Sequence, residues 1–174
     1  MKKILSTIAI SAIVSTTGTF AGDYYGGIGV GYEDLSLSLY DPGVTLVLNG
    51  GKSIMKLGVG TLGAEGEFTY TVVPLNYDNS FFGDNELTIM TIGAYATYTF
   101  DHSDKFYSRV KAGIANRDYS WDNSTYDSNY NEIGLALGAG LGYNLNDSMR
   151  TYADLILLDG SDLKQLNFGV QMNF

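Results

Sequence analysis

The feature that most constrains this chain is an alternation of apolar with polar or small side chains, sustained over about ten residues at a time and repeated along the chain. The last segment shows it most cleanly. Leu166, Phe168, Val170, Met172 and Phe174 fall on one face of an extended chain, and Gln165, Asn167, Gly169, Gln171 and Asn173 on the other. Wound into a helix, the same residues scatter both classes around the cylinder and leave no apolar stripe. A strand with two chemically different faces is the economical reading. Composition agrees, because 22 glycines, 14 tyrosines and 8 phenylalanines with only two prolines suit pleated segments cut by turns. Glycine within so many apolar stretches would penalise each helix by about 1 kcal/mol.

Working back from the end, Ile133, Leu135, Leu137, Ala139, Leu141, Tyr143 and Leu145 alternate with Glu132, Gly134, Ala136, Gly138, Gly140, Gly142 and Asn144. Ala64, Gly66, Phe68, Tyr70 and Val72 oppose Gly63, Glu65, Glu67, Thr69 and Thr71, and Met90 to Phe100 repeat the rule against Thr91, Gly93, Tyr95, Thr97 and Thr99. Near the start, Ile28, Val30 and Tyr32 alternate with glycines, and the parity then flips to Leu35, Leu37 and Leu39, which predicts a bulge or loop near Glu33 and Asp34. A turn at Asp41-Pro42-Gly43 follows. The pattern predicts eight strands near 24–34, 44–54, 61–73, 87–100, 105–117, 132–146, 149–158 and 164–174. Connections at 55–60, 101–104 and 146–148 are short, those at 73–86 and 118–131 long and polar, and Asp159 to Leu163 makes a shorter surface loop.

The first 21 residues stand apart. Lys2 and Lys3, an apolar run from Ile4 to Val14, and Thr19, Phe20 and Ala21 have the order of a secretory signal peptide. As a helix that run would span roughly 16 Å, against a hydrocarbon core of about 30 Å, so it is too short to cross a bilayer. Residues 22–174 then form one domain. Removal of Lys2 and Lys3 leaves eight basic against nineteen acidic side chains, about −11, which argues against nucleic acid as a partner. There is no cysteine, so disulfides and thiol ligands are absent. No stretch of residues 22–174 reaches the ~20 consecutive apolar residues of a transmembrane helix, so a membrane can be crossed only by strands.

A soluble barrel or sandwich would turn its apolar face inward. Here the opposite face carries Gly, Thr, Glu, Arg, Lys and Gln, a poor dry core, while an eight-stranded interior is just wide enough for side chains to fill. The expected fold is therefore all-β, a closed eight-stranded antiparallel transmembrane β-barrel with a polar interior and Leu, Ile, Val and Phe against lipid.

The final row Phe168, Val170, Met172 and Phe174 resembles the C-terminal signature of bacterial outer-membrane proteins, in which an aromatic last residue closes an alternating strand that the barrel assembly machinery reads. Gly63-Ala64-Glu65-Gly66-Glu67-Phe68-Thr69-Tyr70 and Gly138-Ala139-Gly140-Leu141-Gly142-Tyr143-Asn144-Leu145-Asn146-Asp147 resemble strands of the small outer-membrane β-barrel family, including the outer membrane protein X type and the barrel domain of the outer membrane protein A type. The likeness covers essentially all of residues 22–174. It implies the outer membrane of a Gram-negative bacterium, outer-membrane lipids as neighbours, and a role as adhesin, surface shield, anchor or narrow pore. The peptidoglycan-binding domain of the outer membrane protein A type has no counterpart in this sequence.

Candidate site residues follow from the faces. Glu65, Glu67, Arg109, Lys111, Arg150 and Asp154 fall on the interior face, where isolated charges are expensive and should pair into a structural plug or, alternatively, select ions in a narrow channel. Tyr77, Phe81, Phe82, Tyr119, Trp121, Tyr126 and Tyr130 fall in the two long loops, as candidate contacts for an extracellular or host-surface ligand or as an aromatic girdle. Asp and Glu are frequent in those loops, but no EF-hand spacing marks a metal site, and no cofactor is expected. Asn123-Ser124-Thr125 matches a glycosylation acceptor only formally. Small lipid-modifying barrel enzymes place histidine and serine together near the rim. The one histidine, His102, precedes Ser103 but falls in a short turn expected to face the periplasm, and Glu65 with Glu67 lacks a nucleophile, so catalysis is not expected. The readings that remain are a monomeric structural or surface-interaction protein, a narrow channel, and last a lipid-modifying enzyme.

Overall fold

The computed structural model describes residues 24–35, 40–77, 85–122, 128–159 and 162–174. The expected signal peptide at residues 1–21 lies outside them. The described residues form nine strand segments: β1 Tyr24–Leu35, β2 Gly43–Leu57, β3 Gly60–Val73, β4 Leu75–Tyr77, β5 Asn85–Asp101, β6 Phe106–Asp122, β7 Ser128–Asn144, β8 Met149–Leu158 and β9 Leu163–Asn173. Every pairing is antiparallel. The order β3-β2-β1-β9-β8-β7-β6-β5-β4 is closed by the pairing of β3 with β5. Because β3 and β4 are consecutive pieces that both pair with β5, they make one stave, and the barrel has eight.

The joint between β3 and β4 has a chemical cause. Tyr70 pairs with Met90 and Leu75 with Leu87, so β3–β4 advances five residues where β5 advances three. Two extra residues bulge out beside Pro74, which has no N–H to give a ladder. At the opposite end, Leu57 pairs with Gly60 across Gly58-Val59, and the positive φ of Gly58 (62°) fits the first position of a type II′ hairpin. The turn 102–105 is folded by Ser103, whose Oγ accepts from the Phe106 N–H at 3.0 Å, and 145–148 by Asn146, whose Oδ1 accepts from the Ser148 and Met149 N–H groups at 2.9 Å. Both described chain ends lie at this turn end, where Phe174 N–H donates to the Tyr24 carbonyl. Short turns mark the periplasmic end of such barrels and longer connections the cell surface.

The two faces are sorted as the alternation requires. Leu137 and Leu141 are 59% and 67% exposed on the outer wall, while Glu65 and Arg109 are each 3% exposed inside. Three expectations need correction. β1 runs unbroken to Leu35 in register with β9, so there is no bulge at Glu33 and Asp34; the parity flips because Leu35 turns inward onto an apolar cluster. Residues 118–122 and 128–131 are not loop: they continue β6 and β7, paired up to Trp121↔Ser128. The interior is not polar throughout, since its loop half is lined by Leu75, Leu87, Ile89, Ile156, Leu158 and Leu163.

Candidate functional site

The turn half of the lumen is built by inward positions of β3, β6 and β8, strands that are not neighbours and so meet across the barrel. Arg109 Nη1 lies 3.0 Å from Glu65 Oε2, its Nε donates to Asp154 Oδ1 at 2.9 Å, and its Nη2 bonds Asp154 Oδ2. Lys111 Nζ lies 2.8 Å from Glu67, 3.1 Å from Glu65 and 3.3 Å from Asp154. All five side chains are buried. Each charge therefore has an opposite within reach, which is the condition for holding ions where desolvation costs several kcal/mol apiece. Arg150 stands outside this group: it donates to Gln171 Oε1 at 2.8 Å and lies over the Tyr25 and Tyr107 rings, 4.5 and 5.4 Å from their centroids.

Tyrosines wall the network. Tyr25 donates its hydroxyl to Glu65 at 2.8 Å, Lys111 sits 4.8 Å from the Tyr95 centroid, and Arg109 sits 4.8 Å from that of Tyr152. Each ring fills the space left by a glycine. A Cβ on Gly51, Gly93, Gly142 or Gly169 would lie under 3.0 Å from the rings of Tyr25, Tyr95, Tyr107 and Tyr152 respectively. At these four positions the two residue types answer one another, large rings packed on bare backbone inside a narrow cylinder.

Above this layer the lumen becomes apolar, and at the loop rim a second ion cluster appears. Arg117, itself buried, donates from Nη2 to Asp159 Oδ2 at 2.9 Å and lies 3.4 Å from Glu132 Oε2. Asp159 stands just beyond β8 with a positive φ of 51°, and the hydrogen bond from Arg117 holds its carboxyl below the usual range. Alternation along the chain puts Arg117 at the end of its expected strand, and its partners Glu132 and Asp159 come from β7 and from beyond β8, so no pattern within one strand marks the cluster.

Of the expected loop contacts, Phe81, Phe82 and Tyr126 lie outside the described residues, and Tyr77 lies in β4. Tyr119 is not on a loop: as an inward residue of β6 it is buried, stacked 5.8 Å from Trp121, which is half-buried against the apolar cluster. Tyr130 is exposed on β7. Asn123-Ser124-Thr125 lies outside the described residues. Phe168, Met172 and Phe174 are exposed on the outer wall, and Val170 is half-buried in the same row. His102 bonds not Ser103 but Ser108, 2.8 Å from ring Nε2 to Oγ, at the turn end.

A closed barrel with an apolar outer wall and a buried ion network inside is a transmembrane barrel. The chain matches the family of the outer membrane protein β-barrel domain over residues 4–174, and it belongs to that family; it is a β-barrel protein of the bacterial outer membrane, surrounded by its lipids. Among solved structures it is similar to Neisserial surface protein A (20% identity over 90% of this chain and 100% of that one, TM-score 0.66). It is also similar to the attachment invasion locus protein Ail of Yersinia pestis (16%, 89% and 100%, TM-score 0.63) and to the N-terminal barrel domain of Pseudomonas aeruginosa OprF (19%, 89% and 100%, TM-score 0.55). At these identities the likeness is one of fold. No curated protein matches in sequence.

Proposed function

We propose that this protein is a monomeric, non-conducting and non-enzymatic barrel that presents a cell-surface contact, with residues 1–21 as its signal peptide and Phe168, Val170, Met172 and Phe174 as the row read by the barrel assembly machinery. The observation that carries the reading is the uneven rim. The ladder between β7 and β8 begins at Ala136↔Leu158, whereas β6 and β7 stay paired to Trp121↔Ser128. Among the described residues, 128–135 are therefore a strand laddered on one side only, rising above its β8 neighbour, with Asp159 set against Gly134 at the base of the unladdered edge.

Charge narrows the partner. Residues 34–41, 76–86, 117–132 and 159–164, which form the loop-side strand ends and connectors, hold eleven Asp or Glu against Arg117 and Lys164. Such a crown attracts basic surfaces and repels anionic ones. Ail has been crystallised with a heparin analogue, sucrose octasulfate; a polyanion of that kind is the wrong sign for this rim, and a basic protein surface is the right one. The filled lumen supports the absence of a pore, and the position of His102, at the turn end and bonded to Ser108, supports the absence of catalysis at the rim.

The test is binding by the refolded barrel in vesicles, comparing polylysine with heparin. Polylysine is expected to bind, with affinity falling as salt rises and on deletion of residues 78–84 and 123–127, while heparin does not. Binding of heparin alone would overturn the charge reading. Discrete conductance steps in planar bilayers would favour the channel, and a changed lipid profile in the presence of the protein would favour the enzyme.

A further inference from the structure

Among the described residues, Glu33 is the buried carboxyl group that neither ion cluster uses. It points inward from β1, is fully buried, and among the described residues has no cation within ion-pair distance. Its partners are neutral. The Gln165 side-chain amide donates to Oε1, and Oε2 lies 2.9 Å from the Thr71 hydroxyl. Thr71 sits where the ladder between β3 and β5 gives way to the Pro74 joint. There its Oγ1 takes the place of a missing strand partner, lying 2.9 Å from both the N–H and the carbonyl of Ile89.

Burial without a counter-charge decides the state of Glu33. An ionised carboxylate taken out of water with no cation beside it is penalised heavily, and such a group neutralises by taking up a proton. A protonated Glu33 also fits its neighbours: its O–H donates to Thr71 Oγ1, which accepts as well from the Ile89 N–H and keeps its own hydrogen for the Ile89 carbonyl, while Gln165 donates to the other carboxyl oxygen.

We propose that Glu33 is a proton-binding site, held as a neutral carboxylic acid at pH 7, and that its proton latches β1 to the β3–β4 joint and lets the loop half of the lumen stay apolar. Among the described residues, the charged and titratable groups packed around that space include Tyr40 and, from β5, Tyr95. From β6 come Arg117, committed to Asp159 at the end of β8 and Glu132 of β7, and Tyr119; from β3, Glu67 is held by Lys111 below. Thr45 of β2, Thr91 of β5 and Gln165 of β9 add no charge.

The test uses the full barrel refolded in lipid vesicles. Infrared difference spectra with ¹³C-labelled glutamate should show a carboxylic-acid C=O band at pH 7 that fades at alkaline pH and is missing in Glu33→Gln. Gln mimics the neutral acid, donating to Thr71 and accepting from Gln165. Because the unfolded chain ionises this residue while the fold keeps it protonated, wild-type stability should fall relative to Glu33→Gln as pH rises above the ordinary glutamate pKa of about 4.3. A wild-type spectrum with no glutamic-acid band at pH 7 overturns the proposal without reference to any variant. So does a band that persists in Glu33→Gln, or a variant with the same pH slope as the wild type.

Discussion

The two halves of the lumen solve one packing problem by opposite chemistry. The turn half is filled by five charged side chains in a ring of tyrosines, the loop half by leucines, isoleucines and two alanines around the neutral set of Glu33, Thr71 and Gln165, yet both halves are buried and both lie on the inward parity of the same strands. β6 and β8 carry the change within themselves: Arg109 and Lys111 are followed on the same face by Ala115, and Asp154 by Ile156 and Leu158. The charged half depends on every member being present, because an ion left alone is penalised heavily. The apolar half is made of separable contributions, each roughly proportional to the surface it buries.

Removing one cation tests this contrast most severely. Arg109→Met leaves Glu65, Glu67 and Asp154 sharing Lys111 alone, and should lower stability by about 3–5 kcal/mol, read as the midpoint of reversible urea unfolding in vesicles. Adding Asp154→Leu should return part of that loss. If the double variant is as unstable as the sum of the singles, the charges are not acting as a unit. In the apolar half, Ile156→Ala should lose about 2–4 kcal/mol through the cavity it opens, with no rescue by a second truncation. A loss as large as that of Arg109→Met would erase the distinction between the halves.

The smallest effect lies at the rim. Since Arg117 lowers the carboxyl of Asp159, the folded state holds the charged form more tightly than the unfolded chain does. That stability is present above the ordinary carboxyl pKa, near 3.9, and is lost as pH falls through the lower folded value. Asp159→Asn should therefore lower the urea midpoint slightly at pH 7 and by less at pH 3. A larger deficit at pH 3 than at pH 7 would mean that Arg117 does not act on Asp159 as its position implies.

Much of this barrel was legible because alternation is a local property. The inward or outward facing of Glu65, Arg109, Leu141 and Phe168 follows from parity along one strand, and parity needs no knowledge of neighbours. The same locality explains the misreadings. Leu35 turned the alternation over without bending the chain, because its partners Leu163 and the rest of the apolar cluster come from strands distant in sequence. Tyr119 and Trp121 looked like loop residues because polar residues surround them, yet the ladder with β7 carries both upward as strand.

By itself, then, the sequence determined that the chain would be extended, two-faced, broken into eight staves and closed with oil outward, since period, turn residues and the cost of unpaired backbone in lipid leave little else. Only the tertiary structure decided which inward residues meet. Glu65 and Arg109 stand 44 positions apart, and Glu33 and Gln165 stand 132 apart. Shear brings Glu65 and Arg109 together across the lumen, closure sets Glu33 opposite Gln165 in the β1–β9 ladder, and no pattern along one strand encodes the height at which another strand will pass.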